Sequence, residues 1–343
     1  MNKTRIAING FGRIGRMVFR QAIKDNQLDV VAINANYPPE TLAHLIKYDS
    51  VHGIFDGEVK ALHNMLEVDG KEVLLVNSRE PETLPWNDFA IDIVVEATGK
   101  FNSKQGAGLH LQAGAKKVVI TAPGKQVDKT IVMGVNQDTY NPAEDHIISN
   151  ASCTTNCLAP VVKVLDDHFG IKNGLMTTVH AFTNDQKNID NPHKDLRRAR
   201  GCTQSIIPTS TGAAKALGEV LPHLNGKLHG MALRVPTPDV SLVDLVVDVK
   251  RSVTIEDINH VFKQVAENEL KGILKYSEEP LVSIDYTTTD YSAIIDGLTT
   301  MVMEDNKVKV LAWYDNEWGY SHRVIDLTKF IGSCLQQEQV KIS

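Results

Sequence analysis

The sequence predicts an α/β protein with two domains, the first a doubly wound parallel sheet and the second an α+β domain with a mostly antiparallel or mixed sheet. Three observations support this prediction. A glycine-rich turn joins the first strand to the first helix, strands and helices alternate across the first half, and long β-rich runs dominate the second half.

The first element is a short apolar strand, Arg5–Asn9, followed at once by the glycine-rich turn and a segment of helical periodicity. Gly10 permits the tight turn, Gly12 allows a pyrophosphate to approach the backbone, and Gly15 lets helix and strand pack closely. A second strand, Leu28–Asn34, completes the unit. The pattern therefore predicts a Rossmann dinucleotide-binding unit, with the phosphates at the N-terminus of the helix.

Further strands continue the alternation in the first half; they are Val73–Val76, Ile91–Glu96 and Lys117–Thr121. In the second half no helix is predicted between the successive β-rich runs, which are Leu175–Ala181, Gly230–Val235 and Val240–Val249. A last helix is predicted over Ser321–Leu335. The change of pattern marks the boundary between the two domains.

The segment Ser149–Asn156 carries the strongest chemical signal. It places Cys153 where an apolar stretch of helical spacing begins. Free backbone N–H groups and the helix dipole stabilise an anion at such a position. The pattern therefore predicts a cysteine with a lowered pKa that attacks a carbonyl carbon as the thiolate. A cysteine that only packs beside a Ser/Thr cap is the alternative.

His180 is the candidate general base because it ends the strand Met176–Val179, where a sheet edge presents side chains to a cleft. An imidazolium there would stabilise the thiolate, and the neutral ring would later accept a proton. Cys153 and Cys157 lie one helical turn apart without a second Cys/His pair at zinc spacing. No metal site is therefore predicted.

The composition narrows the class of protein. A chain of 343 residues, 42% of them hydrophobic, is long enough to form two hydrophobic cores. Its net charge of −6 disfavours a nucleic-acid partner. No signal peptide is predicted, and no apolar run reaches the roughly 18 residues needed to cross a bilayer, so no membrane partner is expected. Four cysteines do not suggest a disulfide scaffold, so a cytoplasmic location is expected.

Five motifs resemble those of the phosphorylating glyceraldehyde-3-phosphate dehydrogenases, in particular NADP-preferring bacterial members; they are Ala7–Arg16, Lys47–Ser50, Ser149–Asn156, Arg234–Pro238 and Trp313–Tyr320. The resemblance extends over nearly the whole chain. It implies a homotetramer that oxidises D-glyceraldehyde 3-phosphate with phosphate to 1,3-bisphosphoglycerate, through a thioester on Cys153 and with His180 as base. It also implies a dinucleotide domain of residues 1–152 completed by a C-terminal helix over 317–343, and a catalytic domain of residues 153–316.

The resemblance implies roles for further residues, in three sets. For the phosphate of the substrate they are Thr183 and Arg234. For the attacking phosphate they are Ser152, Thr154, Thr211, Gly212 and one arginine within Arg197–Arg200, of which we choose Arg198. For the cofactor they are Gly10, Gly12, Arg13, Ile14 and Gly15 around the phosphates, Thr121 near a ribose and Asn316 at the nicotinamide carboxamide.

One departure from the family pattern concerns the choice of cofactor. The second strand normally ends in Asn-Asp, whose acid binds the adenosine ribose, but here it reads Asn34-Ala35-Asn36. Without that acid, a 2′-phosphate escapes a like-charge repulsion of about 4 kcal/mol at about 4 Å and an effective dielectric constant of ~20. We therefore predict that NADP is preferred to NAD, with Arg79 and Asn36 as contacts, and a reductive role as in gluconeogenesis. The alternative is that Ala35 only weakens NAD binding.

Three other functions fit parts of the sequence. An erythrose-4-phosphate dehydrogenase has the same cysteine and fold, but its motifs tend to lack Thr183 and the run Ser210–Ala213, which this chain keeps. A cofactor-independent cysteine hydrolase would leave the segment Gly10–Gly15 without a purpose. A binding or scaffold role, as family members sometimes acquire, would persist after Cys153→Ala.

Overall fold

The structure is a computed structural model that describes residues 3–342. Residues 1, 2 and 343, at the ends of the predicted dinucleotide domain, lie outside the described residues. The chain divides into two compact units. Unit 1 comprises Met1–Ile131, Gln137–Ala151 and Ser321–Ser343, and unit 2 comprises Val132–Asn136 and Ser152–Tyr320. The functional division at residues 152 and 317 stays a prediction.

The described α-helices are α1 (Arg13–Ala22), α2 (Pro39–Lys47), α3 (Lys104–Gln112), α4 (Cys153–Phe169), α5 (Ala213–Val220), α6 (Ile255–Glu267) and α7 (Trp318–Ile342). Short 3₁₀ helices cover Pro81–Thr83, Gln137–Thr139, Pro222–Leu224, Ser283–Tyr286 and Gly297–Thr299. The described strands are β1 (Thr4–Asn9), β2 (Leu28–Asn34), β3 (Tyr48–Asp49), β4 (Gly53–Ile54), β5 (Val59–Leu62), β6 (Met65–Val68), β7 (Lys71–Val76), β8 (Ile93–Glu96), β9 (Lys117–Ile120), β10 (Lys129–Thr130), β11 (Ile147–Ser149), β12 (Ile171–Ala181), β13 (Ile207–Ser210), β14 (Leu228–Val235), β15 (Ser241–Val249), β16 (Leu274–Ser277), β17 (Ala293–Asp296), β18 (Met301–Met303) and β19 (Lys307–Tyr314).

A nine-stranded sheet, in the order β10-β11-β9-β8-β1-β2-β7-β6-β5, forms the centre of unit 1. The strands from β10 to β7 are parallel, and the antiparallel strands β6 and β5 extend one edge. The last residues of three neighbouring parallel strands, Asn9, Asn34 and Glu96, stand in register. Three polar side chains therefore gather at the carboxyl edge, where open parallel sheets bind ligands.

Helix α1 begins directly after the glycine-rich turn, as predicted, and buries an apolar face that includes Met17, Val18 and Phe19. A Cβ atom on Gly15 would lie 2.1 Å from the carbonyl oxygen of Gly10, well inside van der Waals contact. Gly10 itself has φ +93°, in the region that favours glycine. The turn and the helix can therefore pack only with glycine at these two positions.

Unit 2 contains a mixed sheet of eight strands, in the order β13-β14-β12-β15-β19-β17-β16, with β18 paired to β19. Strands β12 and β14 are parallel, as are β16 and β17, and the other pairs are antiparallel. The predicted α/β fold with a second, mixed-sheet domain is thus confirmed. The prediction that no helix separates the β-rich runs is wrong, because α5 lies between β12 and β14. A parallel pair needs a crossover connection, and α5 is part of it.

The C-terminal helix α7 begins before and ends after the predicted segment Ser321–Leu335. Within unit 1, Nζ of Lys329 lies 3.2 Å from a carboxylate oxygen of Asp25, and Nδ1 of His322 lies 2.9 Å from Oε1 of Gln21. The last part of the chain is thereby fixed to the beginning of unit 1. No helix among the described residues is long and apolar enough to span a bilayer.

Candidate active site

Cys153 is the first residue of α4, as predicted. The hydroxyl of Ser152 caps this helix by accepting a hydrogen bond from the backbone N–H of Thr155 at 3.1 Å. The side-chain amide of Asn156 donates to the carbonyl of Ser152 at 3.0 Å and so fixes the residue before the thiol. The polar residues around Cys153 therefore shape the helix start and hold the sulfur at its tip.

His180 lies beside the sulfur. Its Nε2 is 3.5 Å from Sγ of Cys153, and its Nδ1 is 2.7 Å from the carbonyl oxygen of Ala181. Nη1 of Arg234, which only donates, lies 2.9 Å from the same Nδ1. In the tautomer whose Nδ1 donates to the Ala181 carbonyl, Nε2 presents its lone pair to the sulfur. The structure thus brings the two predicted catalytic residues together with Nε2 facing the thiol.

Burial shifts the pKa of both members of this pair away from the charged forms. Burial raises the pKa of the Cys153 thiol, although the Arg234 charge and hydrogen bonds from Thr154 lower it in part. Burial and the charge of Arg234 lower the pKa of His180 to about 3. Burial thus acts against charge on both groups, whereas the helix terminus favours the thiolate. The thiolate–imidazolium pair stays a prediction.

Tyr314, which was not predicted as a site residue, packs behind Cys153 and His180. Its hydroxyl lies 2.9 Å from Oγ1 of Thr154 and 2.8 Å from Oγ1 of Thr178, and its ring meets the His180 ring edge-to-face at 5.9 Å. Tyr314 is only 1% exposed. It links the start of α4 to β12, so the two strands and the helix hold Cys153 and His180 at a fixed separation.

Arg234 extends from β14, which pairs in register with β12 so that Arg234 stands opposite His180. Its Nη1 donates to the carbonyl oxygen of Ala181 at 3.1 Å. Its buried Nε has no hydrogen-bond partner among the described residues, nor has the buried Nε2 of Gln186. Since a buried donor without a partner is costly, a guanidinium with no carboxylate and an orphaned N–H indicates a place for an anion.

Arg198 lies on the loop between β12 and β13. Its Nε donates to Oγ1 of Thr209 at 2.9 Å, and its guanidinium pairs with Asp185. The strand β13 that carries Thr209 leads within two residues to Thr211 and Gly212, at the start of α5. Arg197 reaches this strand through one bond, from its Nη1 to the carbonyl of Pro208 at 3.5 Å, whereas Arg198 bonds both Thr209 and, at 3.3 Å, the carbonyl of Ser210.

Asn316 is 5% exposed, and its Oδ1 accepts a hydrogen bond from the hydroxyl of Ser241 at 2.6 Å. That bond fixes the amide so that Nδ2 is the end that can donate to a ligand. The preceding residue, Asp315, accepts from the backbone N–H groups of Glu317 and Trp318. Burial and the nearby Asp315 raise the pKa of Asp239, so a buried carboxyl pair underlies this turn.

A cavity of about 410 Å³ opens in unit 1 beyond the carboxyl ends of its central strands. Five predicted cofactor residues line it, namely Gly10, Gly12, Ala35, Asn36 and Arg79. Further polar and aromatic lining residues were not predicted: Asn9, Arg16, Asn34, Tyr37, Ser78, Thr98, Lys100 and Phe101. Their positions in the sequence could have indicated them, because each follows or ends a strand at the carboxyl edge of the sheet or belongs to the first helix.

The cavity fits a dinucleotide phosphate group. A Cβ on Gly12 would have no atom within 4 Å, so the backbone is open there, and Gly12 is the N-cap residue of α1 and offers no side-chain cap. The other predicted residues Arg13, Ile14, Gly15 and Thr121 are not among the lining residues. The guanidinium of Arg13 pairs with Asp49, and the hydroxyl of Thr121 donates to the carbonyl of Glu96 at 3.1 Å.

The charge of this cavity is one-sided. None of the described residues that line it is acidic, whereas Arg16, Arg79 and Lys100 are cationic. The side chains of Arg79 and Lys100 are exposed and form no hydrogen bond or ion pair within residues 3–342. Ala35 lies half-buried at the end of β2, where it brings no charge. The cavity therefore favours an anionic ligand.

Comparison with known proteins gives two family matches. Residues 4–104 match the family model described as glyceraldehyde 3-phosphate dehydrogenase, NAD binding domain, and residues 152–316 match the one described as the C-terminal domain. Glyceraldehyde-3-phosphate dehydrogenase 2 of Bacillus subtilis (strain 168) is 69% identical over 331 residues, which cover 96% of this chain and 97% of that protein. Glyceraldehyde-3-phosphate dehydrogenase of Geobacillus stearothermophilus is 60% identical over 329 residues, 96% of this chain and 98% of that protein.

Proposed function

The chain belongs to the glyceraldehyde-3-phosphate dehydrogenase family, and from this we propose that it reversibly converts D-glyceraldehyde 3-phosphate and phosphate to 1,3-bisphosphoglycerate. The observation that carries the proposal is the 3.5 Å separation between Sγ of Cys153 and Nε2 of His180. A thiol and a basic ring nitrogen in this geometry form an activated nucleophile.

The proposed roles of the two residues follow from that geometry. Cys153 adds its sulfur to the aldehyde carbon while its proton passes to Nε2 of His180 and from there to the carbonyl oxygen, giving a hemithioacetal. When bound, a nicotinamide dinucleotide supplies the hydride acceptor for the oxidation. His180, neutral again, accepts the hydroxyl proton that must leave the hemithioacetal for the thioester to form. Phosphate then attacks the thioester carbon, and the Cys153 sulfur leaves.

Two anion sites are proposed beside Cys153. Arg234 and Thr183 bind the phosphate of the substrate, supported by the buried Nε of Arg234, which has no partner among the described residues. The attacking phosphate is assigned to a set at the starts of α4 and α5: Ser152, Thr154, Arg198, Thr211 and Gly212. The N-termini of these helices and the guanidinium of Arg198 favour an anion there.

We propose NADP as the preferred cofactor, with NAD as a weaker one. The support is the absence of an acid among the described residues lining the cavity in unit 1, together with Ala35 at the end of β2 and the unpaired cation of Arg79. Gly10, Gly12 and Asn36 would hold the dinucleotide there, and Asn316 would hold its carboxamide. Since cells keep NADP mostly reduced, the reductive direction, as in gluconeogenesis, is the proposed physiological one.

The cofactor proposal has a direct test. We expect kcat/KM for NADP to exceed that for NAD by at least tenfold, measured at 340 nm with glyceraldehyde 3-phosphate and phosphate. Ala35→Asp should reverse the order, because it restores a negative charge worth about 4 kcal/mol against a 2′-phosphate. Ala35→Asn has similar size without charge and is the matched control. A tenfold preference of the wild type for NAD would refute the proposal.

The assembly is proposed to be a homotetramer in a reducing, cytoplasmic setting. Large apolar side chains stand exposed on the segment before β13, with Ile189 80%, Leu196 81% and Ile206 67% exposed. Such a patch supports burial against another copy of the chain. The described cysteines are all free thiols. Sedimentation equilibrium measures the oligomer, and a monomer at micromolar concentration would contradict the tetramer.

A further inference from the structure

Glu96, the last residue of β8, is 2% exposed and accepts four hydrogen bonds. Its Oε1 accepts from the backbone N–H and the hydroxyl of Thr98. Its Oε2 accepts from the side-chain amide of Asn9 at 2.5 Å and lies 3.1 Å from Nε2 of His110. Each carboxylate oxygen thus serves a different part of the unit, and the buried group has donors on both sides.

His110 and Trp86 fix the Glu96 carboxylate through a chain of two hydrogen bonds. The indole N–H of Trp86 donates to Nδ1 of His110 at 2.9 Å. Because an indole nitrogen only donates, Nδ1 must carry the lone pair and Nε2 the proton, which points at Glu96. Both rings are 0% exposed, and Trp86 packs in an apolar cluster with residues such as Ile91. The carboxylate therefore has one orientation.

The first arm of the network leads from Glu96 to Arg79. Asn9 accepts a hydrogen bond from Nδ2 of Asn34 at 2.6 Å. Asn34 in turn binds both backbone groups of Ser78: its Nδ2 donates to the carbonyl at 2.8 Å, and its Oδ1 accepts from the N–H at 2.9 Å. The backbone that carries Arg79 is therefore fixed through two amide side chains to Oε2 of Glu96.

The second arm leads from Glu96 to Lys100. Thr98 is fixed to Oε1 through both its backbone N–H and its hydroxyl. The backbone N–H of Lys100 then donates to the hydroxyl oxygen of Thr98 at 3.1 Å. Arg79 and Lys100 line the same cavity, and neither side chain has a partner within residues 3–342. The buried carboxylate of Glu96 thus anchors the two loops that carry Arg79 and Lys100, and both cations are available to bind an anion.

We propose that Arg79 and Lys100 together bind the 2′-phosphate of NADP and that Glu96 is the positioning residue that presents both. The inference rests on the proposed use of NADP. Because the loops that carry Arg79 and Lys100 are already ordered, the two side chains lose little conformational freedom when they bind a phosphate. The anchoring by Glu96 therefore increases the difference in affinity between a 2′-phosphate and a 2′-hydroxyl. Lys100 is a specificity-determining residue for which neither the turn motif nor Ala35 gives a signal.

The test uses the whole chain and two adenosine fragments, adenosine 2′,5′-bisphosphate and adenosine 5′-monophosphate. The dissociation constant of each is measured by calorimetry, and their ratio reports discrimination. We expect the wild type to bind the bisphosphate at least tenfold more tightly. Arg79→Gln and Lys100→Gln should each lower the ratio about threefold to tenfold. Glu96→Gln should lower it as far as the variant that combines Arg79→Gln with Lys100→Gln. Lys116→Gln, at an exposed lysine outside the cavity, should leave it unchanged.

The ratio separates positioning from general damage, because a disturbed fold weakens both fragments alike. A Glu96→Gln ratio equal to that of the wild type overturns the inference and leaves the cofactor proposal intact. A wild-type ratio near one refutes the cofactor proposal itself. If Glu96→Gln does not fold, Thr98→Val removes the hydroxyl that joins Glu96 to Lys100 and keeps the side-chain shape. It should then abolish most of the effect of Lys100→Gln, and full additivity of the two changes would refute the role of Glu96.

Discussion

Nη1 of Arg234 lies 2.9 Å from Nδ1 of His180, and both nitrogens lie within hydrogen-bond distance of the carbonyl oxygen of Ala181. The guanidinium, which pairs with no carboxylate among residues 3–342, therefore lies against the proposed general base and lowers its pKa. A phosphate bound to Arg234 would offset this charge. We expect substrate binding to raise the basicity of His180 at the moment when the proton of Cys153 must leave.

Arg234→Gln should therefore have two effects. The KM for glyceraldehyde 3-phosphate should rise about tenfold to a hundredfold, because a hydrogen bond to a charged group is lost. The pKa of His180 should rise, so the acid limb of the kcat/KM profile should move to higher pH. Steady-state kinetics between pH 5 and 9 measures both. Arg251→Gln, at an exposed arginine, is the control, and an unchanged KM in Arg234→Gln would exclude Arg234 as the phosphate ligand.

His180→Asn should lower kcat by about 10²- to 10⁴-fold, because it removes the proton acceptor of the thiol and the hemithioacetal. Alkylation of Cys153 by iodoacetamide should slow as well, since the thiol pKa is already raised by burial. Stopped-flow assay and labelling followed by mass spectrometry give the two rates. His229→Asn, at an exposed position, should match the wild type. Wild-type turnover in His180→Asn would contradict the proposed mechanism.

The acid stability of the protein should depend on His180. Below about pH 6.5 the unfolded chain binds a proton at this residue, whereas the folded chain binds it only near pH 3. The free energy of unfolding therefore falls as pH decreases through this window. His180→Asn removes this term, so its unfolding free energy should fall less steeply than that of the wild type. Urea unfolding at pH 7, 6 and 5 measures the slope, with His229→Asn for comparison.

Asp49→Asn should destabilise unit 1 by about 2 kcal/mol at pH 7, a magnitude typical of hydrogen bonds to a charged group. Burial alone would raise the pKa of Asp49, but Arg13 and the N–H groups of His52 and Val51 lower it to about 2. The stabilisation is present above pH 3.8 and is lost as pH falls towards 2. Wild type and variant should therefore converge at low pH in urea unfolding. Asp56→Asn, at a fully exposed carboxylate, should have little effect at any pH.

Asp239→Asn should stabilise the protein, and more so at higher pH. Because burial and Asp315 raise the pKa of Asp239, the unfolded chain releases this proton at lower pH than the folded chain. That difference costs stability above the ordinary pKa of an aspartate, and the amide avoids it. Thermal unfolding at pH 5 and pH 8 should give a larger gain in Tm at pH 8. A loss of Tm at both values would show that the charged form is the stable one.

The sequence was sufficient wherever a local rule fixes the backbone. The glycines at positions 10, 12 and 15 predict the turn into α1, strand β2 covers Leu28–Asn34 as predicted, and α4 begins at Cys153. These features depend on φ, on close backbone approach and on a helix cap, which are properties of a few neighbouring residues. Helix α5 was missed although Ala213, Ala216, Leu217 and Val220 have helical spacing, because the segment has only eight residues.

The remainder depends on contacts between distant residues. The charge state of Cys153 is set by its burial and by Arg234, which lies 81 positions away in sequence and on another strand. The network around Glu96 joins residues from β1, β2, β8 and α3 that have no common motif. No local pattern reports such distances, so the burial of Cys153 and the anchoring carboxylate of Glu96 were not foreseen.

If Arg79 and Lys100 bind the 2′-phosphate as proposed, their exposure makes the choice of cofactor depend on ionic strength. Mobile counterions surround charges in open solvent and shorten their reach to about 8 Å at physiological ionic strength. A high concentration of potassium salts would therefore weaken the attraction of Arg79 and Lys100 for a 2′-phosphate, while the contacts to the neutral ribose would be unaffected. The chain would then discriminate less between NADP and NAD at high ionic strength than at low ionic strength.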